Sequence, residues 1–303
     1  MASPTLNAIV AMLRALPPRP TGMDGIHNVR MLLDTMAQPA SAETEVIRVS
    51  ASGVPCEWVL APGCDADARL LYLHGGGYVA GSCQSHRSLA AHIAAASRHA
   101  VLLAEYRLAP EHPHPAAVDD AVAAFRWMRG HGPRSEGRAR RTAMAGDSAG
   151  GGLTLATLLT LRDAGDALPD AAVTLSAWTD LAATGESLTS RASVDPMVDP
   201  AELKTFAALY AGARSPRDPL VSPLHADLGR LPPLLMQVGD AEVLLDDTTR
   251  VAKKAKDAGT DVTMEVWPEM IHVWQAWANA LPEATDAIER IGAFLRSREA
   301  RSE

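Results

Sequence analysis

The chain of 303 residues is 47% hydrophobic and 21% charged, which is ordinary for a globular protein and excludes a wholly disordered, collagen-like or coiled-coil chain. No run of about 18 uncharged apolar residues occurs, so we predict no membrane-spanning helix. The net charge of −8 disfavours nucleic acid as a partner. The length fits one α/β domain of roughly 250 residues with a smaller addition.

In chain order, the N-terminal segment comes first. It has no charged region ahead of its apolar part, and Arg14 and the Pro17-Pro18 pair interrupt it. It therefore predicts a short amphipathic helix ending near Leu16, not a secretory signal, and cytoplasmic residence. The cysteines show no metal-ligand spacing and predict no structural zinc site. They are Cys56, Cys64 and Cys83.

Strand signals begin after about residue 40. Thr44–Ser50 alternates apolar and polar residues, as a half-buried strand does, and Val54–Leu60 is its predicted hairpin partner across Ala51-Ser52-Gly53. Later apolar runs predict strands at Leu70–Leu73, Ala100–Tyr106, Thr142–Ala145, Ala171–Ala177, Leu234–Val238 and Val262–Trp267. Helices are predicted near 86–98, 116–130, 150–164, 245–258 and 273–298.

Short apolar runs that alternate with helices are typical of a mostly parallel sheet buried on both faces. We predict an α/β fold of about eight strands flanked by helices, with the hairpin adding antiparallel strands at one edge. The stretch 180–230 breaks the alternation, because it is rich in Ser, Pro and Asp and holds one predicted helix near Glu202–Tyr210. The predicted organisation is an N-terminal cap of residues 1–40, a core of 41–180 and 221–303, and a cap insertion of 181–220.

The strongest chemical motif is GDSAG at residues 146–150, between the predicted strand Thr142–Ala145 and a predicted helix from Gly151. A GxSxG motif in this context is typical of a nucleophile elbow, where small neighbours let strand and helix approach and the turn exposes the serine oxygen. The alternative is a plain glycine-rich turn. The strand–turn–helix context favours Ser148 as a nucleophile.

A second motif, HGGGY at residues 74–78, directly follows the predicted strand Leu70–Leu73. Consecutive glycines leave backbone N–H groups uncovered, so this loop can direct donors at a developing oxyanion, and the N–H of Ala149 can add another. The alternatives are a flexible turn and a phosphate-binding loop, and the lack of GxxxxGK[ST] or GxGxxG disfavours the second. His74 is predicted to orient the loop and not to act as a base.

A serine nucleophile needs a base, and the base needs an acid that orients it, in the chain order serine, acid, histidine. Beyond residue 200 the chain has His225, in a predicted surface turn, and His272, in the loop after the last predicted strand. A loop in that position can fold over the nucleophile, so His272 is the candidate base. The alternative for His272 is a partly buried histidine that caps a helix.

Four carboxylates follow the predicted strand that ends at Val238. They are Asp240, Glu242, Asp246 and Asp247. The last two open the next predicted helix, where acidic residues favour the helix dipole. The residues themselves therefore leave both Asp240 and Glu242 open as the acid.

Four segments, together with HGGGY and the loop of His272, match a known family. They are YRLAPEHPHPAAVDDA at 106–121, GDSAGGG at 146–152, SAWTDL at 176–181 and DPLVSP at 218–223. From about residue 70 to 275 the sequence resembles the bacterial hormone-sensitive-lipase-like esterases, an α/β-hydrolase family with a helical cap. The resemblance implies that fold, ester hydrolysis and homodimers. No metal or organic cofactor is predicted, because a serine, a histidine, an acid and backbone amides suffice for the chemistry. It implies Ser148 as nucleophile, His272 as base, and the amides of Gly75, Gly76 and Ala149 as oxyanion hole.

The resemblance also bears on the acid. Most of the family has Asp-Pro-Leu at the acid position, and aligning the helix from Asp246 to Ala258-Gly259 places Glu242 there. Glu242 is therefore the predicted acid, and Asp240 is predicted to lie outside the triad.

Several other residues that match the family are predicted to be structural. Arg107, Glu111 and Asp119 carry charges suited to tying loops together behind the oxyanion loop. Asp147, beside the nucleophile, is predicted to be hydrogen-bonded locally.

The predicted function is hydrolysis of a small-molecule carboxylic ester with an acyl chain of roughly eight carbons or fewer, in a pocket of ordinary ligand size. The short cap segments and the lack of a long apolar lid favour such substrates over lipid surfaces. A ligand-binding protein on the same fold is one alternative, disfavoured because all three triad residue types are present. An amidase or transacylase is another, and it would use the same triad.

Overall fold

The computed structural model describes residues 3–17 and 22–298. Its centre is one eight-stranded sheet in the order β1-β2-β4-β3-β5-β6-β7-β8. The strands are β1 (Glu45–Ala51), β2 (Val54–Leu60), β3 (Asp65–Leu73), β4 (His99–Ala104), β5 (Arg141–Asp147), β6 (Ala171–Leu175), β7 (Leu234–Gly239) and β8 (Val262–Trp267). Strands β1, β2 and β4 pair antiparallel, and all other neighbours pair parallel. The predicted α/β fold, with its edge hairpin, is confirmed.

Helices flank the sheet and form a smaller layer outside it. They are α1 (Pro4–Arg14), α2 (Gly22–Met36), α3 (Cys83–Ser97), α4 (Ala116–Gly130), α5 (Ala149–Asp163), α6 (Ser187–Ser190), α7 (Pro200–Ala211), α8 (Leu245–Asp257) and α9 (Pro282–Ser297). Two 3₁₀ turns span Pro223–His225 and Trp274–Trp277. Within the two described ranges, no helix is long and apolar enough to cross a membrane.

The continuous helix predicted near 273–298 is wrong. The chain forms a 3₁₀ turn at Trp274–Trp277, and α9 begins only at Pro282. Proline has no N–H to donate inside a helix, whereas the first helical position needs none. The break therefore falls where Pro282 can start a helix.

The core lies on both faces of the sheet because side chains of each strand alternate between the faces. On β4, Leu102 faces one apolar cluster that includes Phe125 of α4, and Leu103 faces a second that includes Ile93 of α3. All six residues of β4 are buried. This double burial is why the strands are continuous apolar runs.

A third apolar cluster joins α1 to the loop after β8. Leu6, Ile9 and Leu13 of α1 pack with Met270 and Trp274. Helices α1, α2, α6 and α7 fall inside the two ranges predicted as the cap, and Arg14 of α1 donates to the carbonyl of Ser193 in the insertion at 3.1 Å. The N-terminal helix thus contacts the insertion between β6 and β7.

Candidate active site

Ser148 lies in the turn between β5 and α5, with φ 52° and ψ −121°. This left-handed backbone is strained for a residue with a side chain. Close packing requires glycine on both sides of Ser148. A Cβ on Gly146 would collide with the carbonyl of Gly150, and a Cβ on Gly150 would collide with the carbonyl of Leu73. The sequence therefore folds into a tight turn that presents Ser148 at the end of β5, beside the N-terminus of α5.

His272 connects Ser148 to one acidic side chain. Its Nε2 lies 3.0 Å from Ser148 Oγ, and its Nδ1 lies 2.9 Å from Glu242 Oε2. A carboxylate can only accept, so Nδ1 carries the proton and Nε2 accepts from the serine hydroxyl. The Asp240 carboxylate lies elsewhere, with Oδ1 accepting the N–H of Glu269 at 2.7 Å.

Close loop packing orients His272. A Cβ on Gly239, at the end of β7, would collide with the carbonyl of Met270. The next residue after the histidine, Val273, donates its N–H to Ser176 Oγ at 3.1 Å. The loops after β6, β7 and β8 are therefore in direct contact around the imidazole.

The electrostatics of the buried Glu242–His272 pair favour a proton held between Glu242 Oε2 and His272 Nδ1. Burial lowers the pKa of His272, but the hydrogen bond and charge of Glu242, with smaller contributions from Asp195 and Asp147, raise it above its ordinary 6.5. Burial also raises the pKa of Glu242, against the effect of His272. A base with a raised pKa takes a proton readily.

The glycine loop after β3 differs in one position from the prediction. The N–H of Gly75 donates to Asp147 Oδ1 at 3.1 Å, and the hydroxyl of Tyr72 donates to the same oxygen at 2.8 Å. An N–H held by a carboxylate is not available for an oxyanion, so Gly75 is wrong as a donor. The motif does not reveal this, because the partner is a carboxylate brought in by another strand.

The next two glycines have the free donors. No acceptor in the described part of the chain takes the N–H of Gly76, Gly77 or Ala149. Both glycines have positive φ, 115° and 64°, and a Cβ on Gly76 would collide with the carbonyl of Ala80. A Cβ on Gly77 would lie 2.5 Å from the ring of Phe206 in α7. Only glycine fits a loop this close to its neighbours.

Comparisons with known proteins show which family this fold belongs to. The sequence profile of the family described as alpha/beta hydrolase fold matches residues 70–276. An acetyl-hydrolase of Streptomyces hygroscopicus is 50% identical over 241 residues, which span 80% of this chain and 79% of that protein. A crystal structure of EstE5 superposes with a TM-score of 0.93 at 44% identity, covering 99% of this chain and 100% of that one. A crystal structure of an esterase from the bacterial hormone-sensitive lipase family superposes with a TM-score of 0.91 at 48% identity. It covers 98% of this chain and 99% of that one.

The chain belongs to the bacterial hormone-sensitive-lipase-like esterases. The predicted family and its carboxylesterase class are confirmed by these matches. The remaining features of this esterase concern the groups that support the loops.

His74 of the esterase holds the glycine loop in place, as predicted. Its Nδ1 donates to the carbonyl of Gly75 at 2.8 Å, and its ring stacks on Tyr106 with 4.2 Å between centroids. Burial lowers the pKa of His74 to about 3, so the ring is neutral. Asp147 is locally hydrogen-bonded, as predicted, to Tyr72 and Gly75.

Two of the three charged residues predicted to tie loops together do so, and the third does not. Arg107 binds Asp120 in two places, with its Nη2 2.7 Å from Oδ1, and Asp119 is exposed. Asp120 lies on the buried side of α4, which the pattern DD does not reveal. Glu111 pairs with Arg30 of α2 at 2.7 Å, a partner outside the matching motifs.

No group of three His, Cys, Asp or Glu side chains in the described ranges could hold a metal ion. The three cysteines are free, and two of them, Cys56 and Cys83, are buried.

Proposed function

We propose that the esterase hydrolyses small carboxylic esters through an acyl-enzyme formed on Ser148. The observation that carries the proposal is the chain of hydrogen bonds from Ser148 Oγ through His272 to Glu242, 3.0 and 2.9 Å long. A serine, a base and a buried acid in this order form the arrangement that activates a hydroxyl for acyl transfer.

In the first step, His272 Nε2 takes the proton of Ser148 while Oγ attacks the ester carbonyl. Glu242 holds the imidazole in the tautomer with its proton on Nδ1 and stabilises the imidazolium that forms. Collapse of the tetrahedral intermediate breaks the bond to the alcohol, which takes its proton from Nε2. An acyl group remains on Ser148.

The oxyanion is proposed to bind the amides of Gly76, Gly77 and Ala149. Their N–H groups have no acceptor within the described residues, and Ala149 opens α5, where the helix dipole adds positive potential. Preorganised donors of this kind contribute about 10²–10³ in turnover each. Gly75 acts indirectly, because its bond to Asp147 fixes the start of the loop.

In the second step, a water replaces the alcohol. His272 takes a proton from this water, and the resulting hydroxide attacks the acyl carbon under the same three amides. The serine oxygen then leaves with the proton from Nε2. The free enzyme is regenerated with no group beyond these side chains and amides, so we propose no metal or organic cofactor.

The substrate is proposed to be small because the cap segments lie directly over the loop. Phe206 of α7 contacts Gly77, and Tyr210 stacks on Tyr78 with 3.7 Å between ring centroids. We therefore propose that the described part of residues 1–40, together with 181–220, forms a cap that limits the acyl chain to roughly eight carbons. Faster turnover of emulsified long-chain triglyceride than of p-nitrophenyl butyrate would contradict this limit.

Active-site labelling tests the nucleophile. A fluorophosphonate probe is expected to label the wild type and not Ser148→Ala, which also loses turnover of p-nitrophenyl butyrate to the level that remains from binding and the oxyanion hole. Ser297→Ala is the matched control, because Ser297 is exposed on α9, away from the site. Labelling of Ser148→Ala at the wild-type rate would overturn the proposal.

A further inference from the structure

The cap insertion contacts the loop of the triad acid at the buried residue Val243. Val243 directly follows Glu242, and its N–H donates to Asp195 Oδ2 at 2.9 Å. Its carbonyl accepts from Ser187 Oγ at 2.6 Å. Both partners come from the insertion between β6 and β7, so the insertion holds both backbone polar groups of the residue next to Glu242.

Asp195 is itself held in one orientation. Its Oδ1 accepts the N–H of Met197 at 2.8 Å and that of Val198 at 3.0 Å, while Oδ2 faces Val243. A carboxylate that accepts backbone N–H bonds on both oxygens cannot rotate without losing some of them. Its negative charge therefore stays in one position. The side chain is therefore a rigid connection between the insertion and the acid loop.

The charge of Asp195 reaches the buried pair. It raises the pKa of His272, in the same direction as Glu242 and Asp147, and it also raises the pKa of Glu242. In both proposed steps His272 becomes positive, and a nearby negative charge in a desolvated site stabilises that state.

We propose that Asp195 is a positioning residue for ester hydrolysis: from the cap insertion it fixes the loop that carries Glu242 and adds a further negative charge to the field around the His272 imidazolium. This inference rests on the proposed roles of Ser148, Glu242 and His272. It makes the insertion a part of the catalytic electrostatics as well as a cover over the substrate.

The test is the pH profile of kcat/KM for p-nitrophenyl butyrate in Asp195→Asn. The amide loses the charge and can accept N–H bonds on one side only. We expect kcat to fall and the acid limb, which reports His272, to move to lower pH by roughly 0.3–1 unit, because a charge that favours the imidazolium is gone. A purely structural role would lower the rate without moving the limb.

Two further variants separate position from charge. Asp195→Glu keeps the charge and disturbs the bonds, so it is expected to lower kcat and retain the wild-type limb. Asp199→Asn is the matched control: Asp199 is another insertion carboxylate, but its Oδ1 accepts the N–H of Ala201 at the start of α7. It is expected to match the wild type in rate and profile.

An acid limb in Asp195→Asn at the wild-type pH would overturn the inference, as would an equal shift in Asp199→Asn. Thermal unfolding shows whether Asp195→Asn folds. If it does not, Asp195→Glu is compared with the wild type instead. An acid limb of the pH profile that moves in Asp195→Glu, although the charge is kept, overturns the inference. Loss of activity in Ser148→Ala together with a wild-type limb in Asp195→Asn would refute this inference alone. An active, labelled Ser148→Ala would refute the proposed function.

Discussion

Glu242 and Asp240 are two residues apart, yet their carboxylates have different partners. Glu242 is fully buried against Nδ1 of His272, and Asp240 receives a backbone N–H from the neighbouring loop. The residue pattern alone left both acids open, and the family register favoured Glu242. What sequence could not supply was the direction of each side chain, which depends on the contact between the loops after β7 and β8.

The first prediction separates these two acids. Glu242→Gln removes the charge that stabilises the imidazolium while keeping the shape, so kcat is expected to fall by about 10²–10⁴. Asp240→Asn, the matched control, is expected to stay within about tenfold of the wild type. Steady-state kinetics with p-nitrophenyl butyrate checks both, and far-UV circular dichroism checks folding. The reverse ranking of the two variants would refute the assignment.

The second prediction concerns the pH dependence of the wild type. His272 must be neutral to accept the serine proton, and the charge of Glu242 raises its pKa above 6.5 despite the opposing effect of burial. Activity is therefore expected to fall as pH drops through a value above 6.5, and the same limb in Glu242→Gln is expected at lower pH. A wild-type kcat/KM profile with its acid midpoint below 6.5 would be inconsistent with this pair.

At the scale of elements, most of the sheet followed from the sequence. Buried parallel strands are continuous apolar runs, and the runs predicted around Leu70–Leu73 and Thr142–Ala145 lie inside β3 and β5. The elbow was predictable because its glycines and serine are adjacent in the chain. The misassignments, Gly75 as oxyanion donor and Asp119 as a loop tie, depend on partners from distant segments, which a local pattern does not encode.

Helix α2 shows how such a distant partner can matter. Arg30 donates from Nε to the carbonyl of Val79 at 2.7 Å, directly after the oxyanion loop, and from Nη2 to the carbonyl of Ala109 at 3.1 Å. Its guanidinium also forms a two-pronged pair with Glu111 and lowers the pKa of that carboxyl to about 2. One side chain of the N-terminal segment therefore braces the loop that carries the proposed oxyanion donors.

The third prediction follows from this brace. Arg30→Ala is expected to lower kcat by roughly tenfold, with less change in KM, because the donors of the loop lose part of their preorganisation. Arg30→Lys keeps the charge but not the forked geometry and is expected to be intermediate. Arg48→Ala is the control, since Arg48 is 86% exposed and its pair with Glu57 lies on β1 and β2. An Arg30→Ala enzyme with wild-type kcat would refute the brace.

At the scale of the whole molecule, the sheet has two edges, β1 and β8. The last strand, β8, therefore has one side with no neighbouring strand in the sheet. Self-association through that edge stays a prediction. Cytoplasmic residence, expected from the N-terminal segment, also stays a prediction.

The fourth prediction is a homodimer through β8. An unpaired edge strand can pair with a second copy, and Val266 on this strand is 41% exposed. Sedimentation of the wild type at micromolar concentration is expected to show a species of twice the chain mass, and Val266→Lys is expected to shift it towards the monomer. A wild type that sediments only as a monomer would refute the predicted homodimer.

The central claim, an acyl-enzyme on Ser148, can be tested by trapping that intermediate. The enzyme is mixed rapidly with excess p-nitrophenyl acetate, quenched in acid, digested and analysed by mass spectrometry. We predict one acetyl group per chain, on the peptide that contains Ser148, and no acetyl group on this peptide in a His272→Ala variant, which lacks the base that activates the serine. An acetyl group on any other residue, or none during turnover by the wild type, would contradict the account.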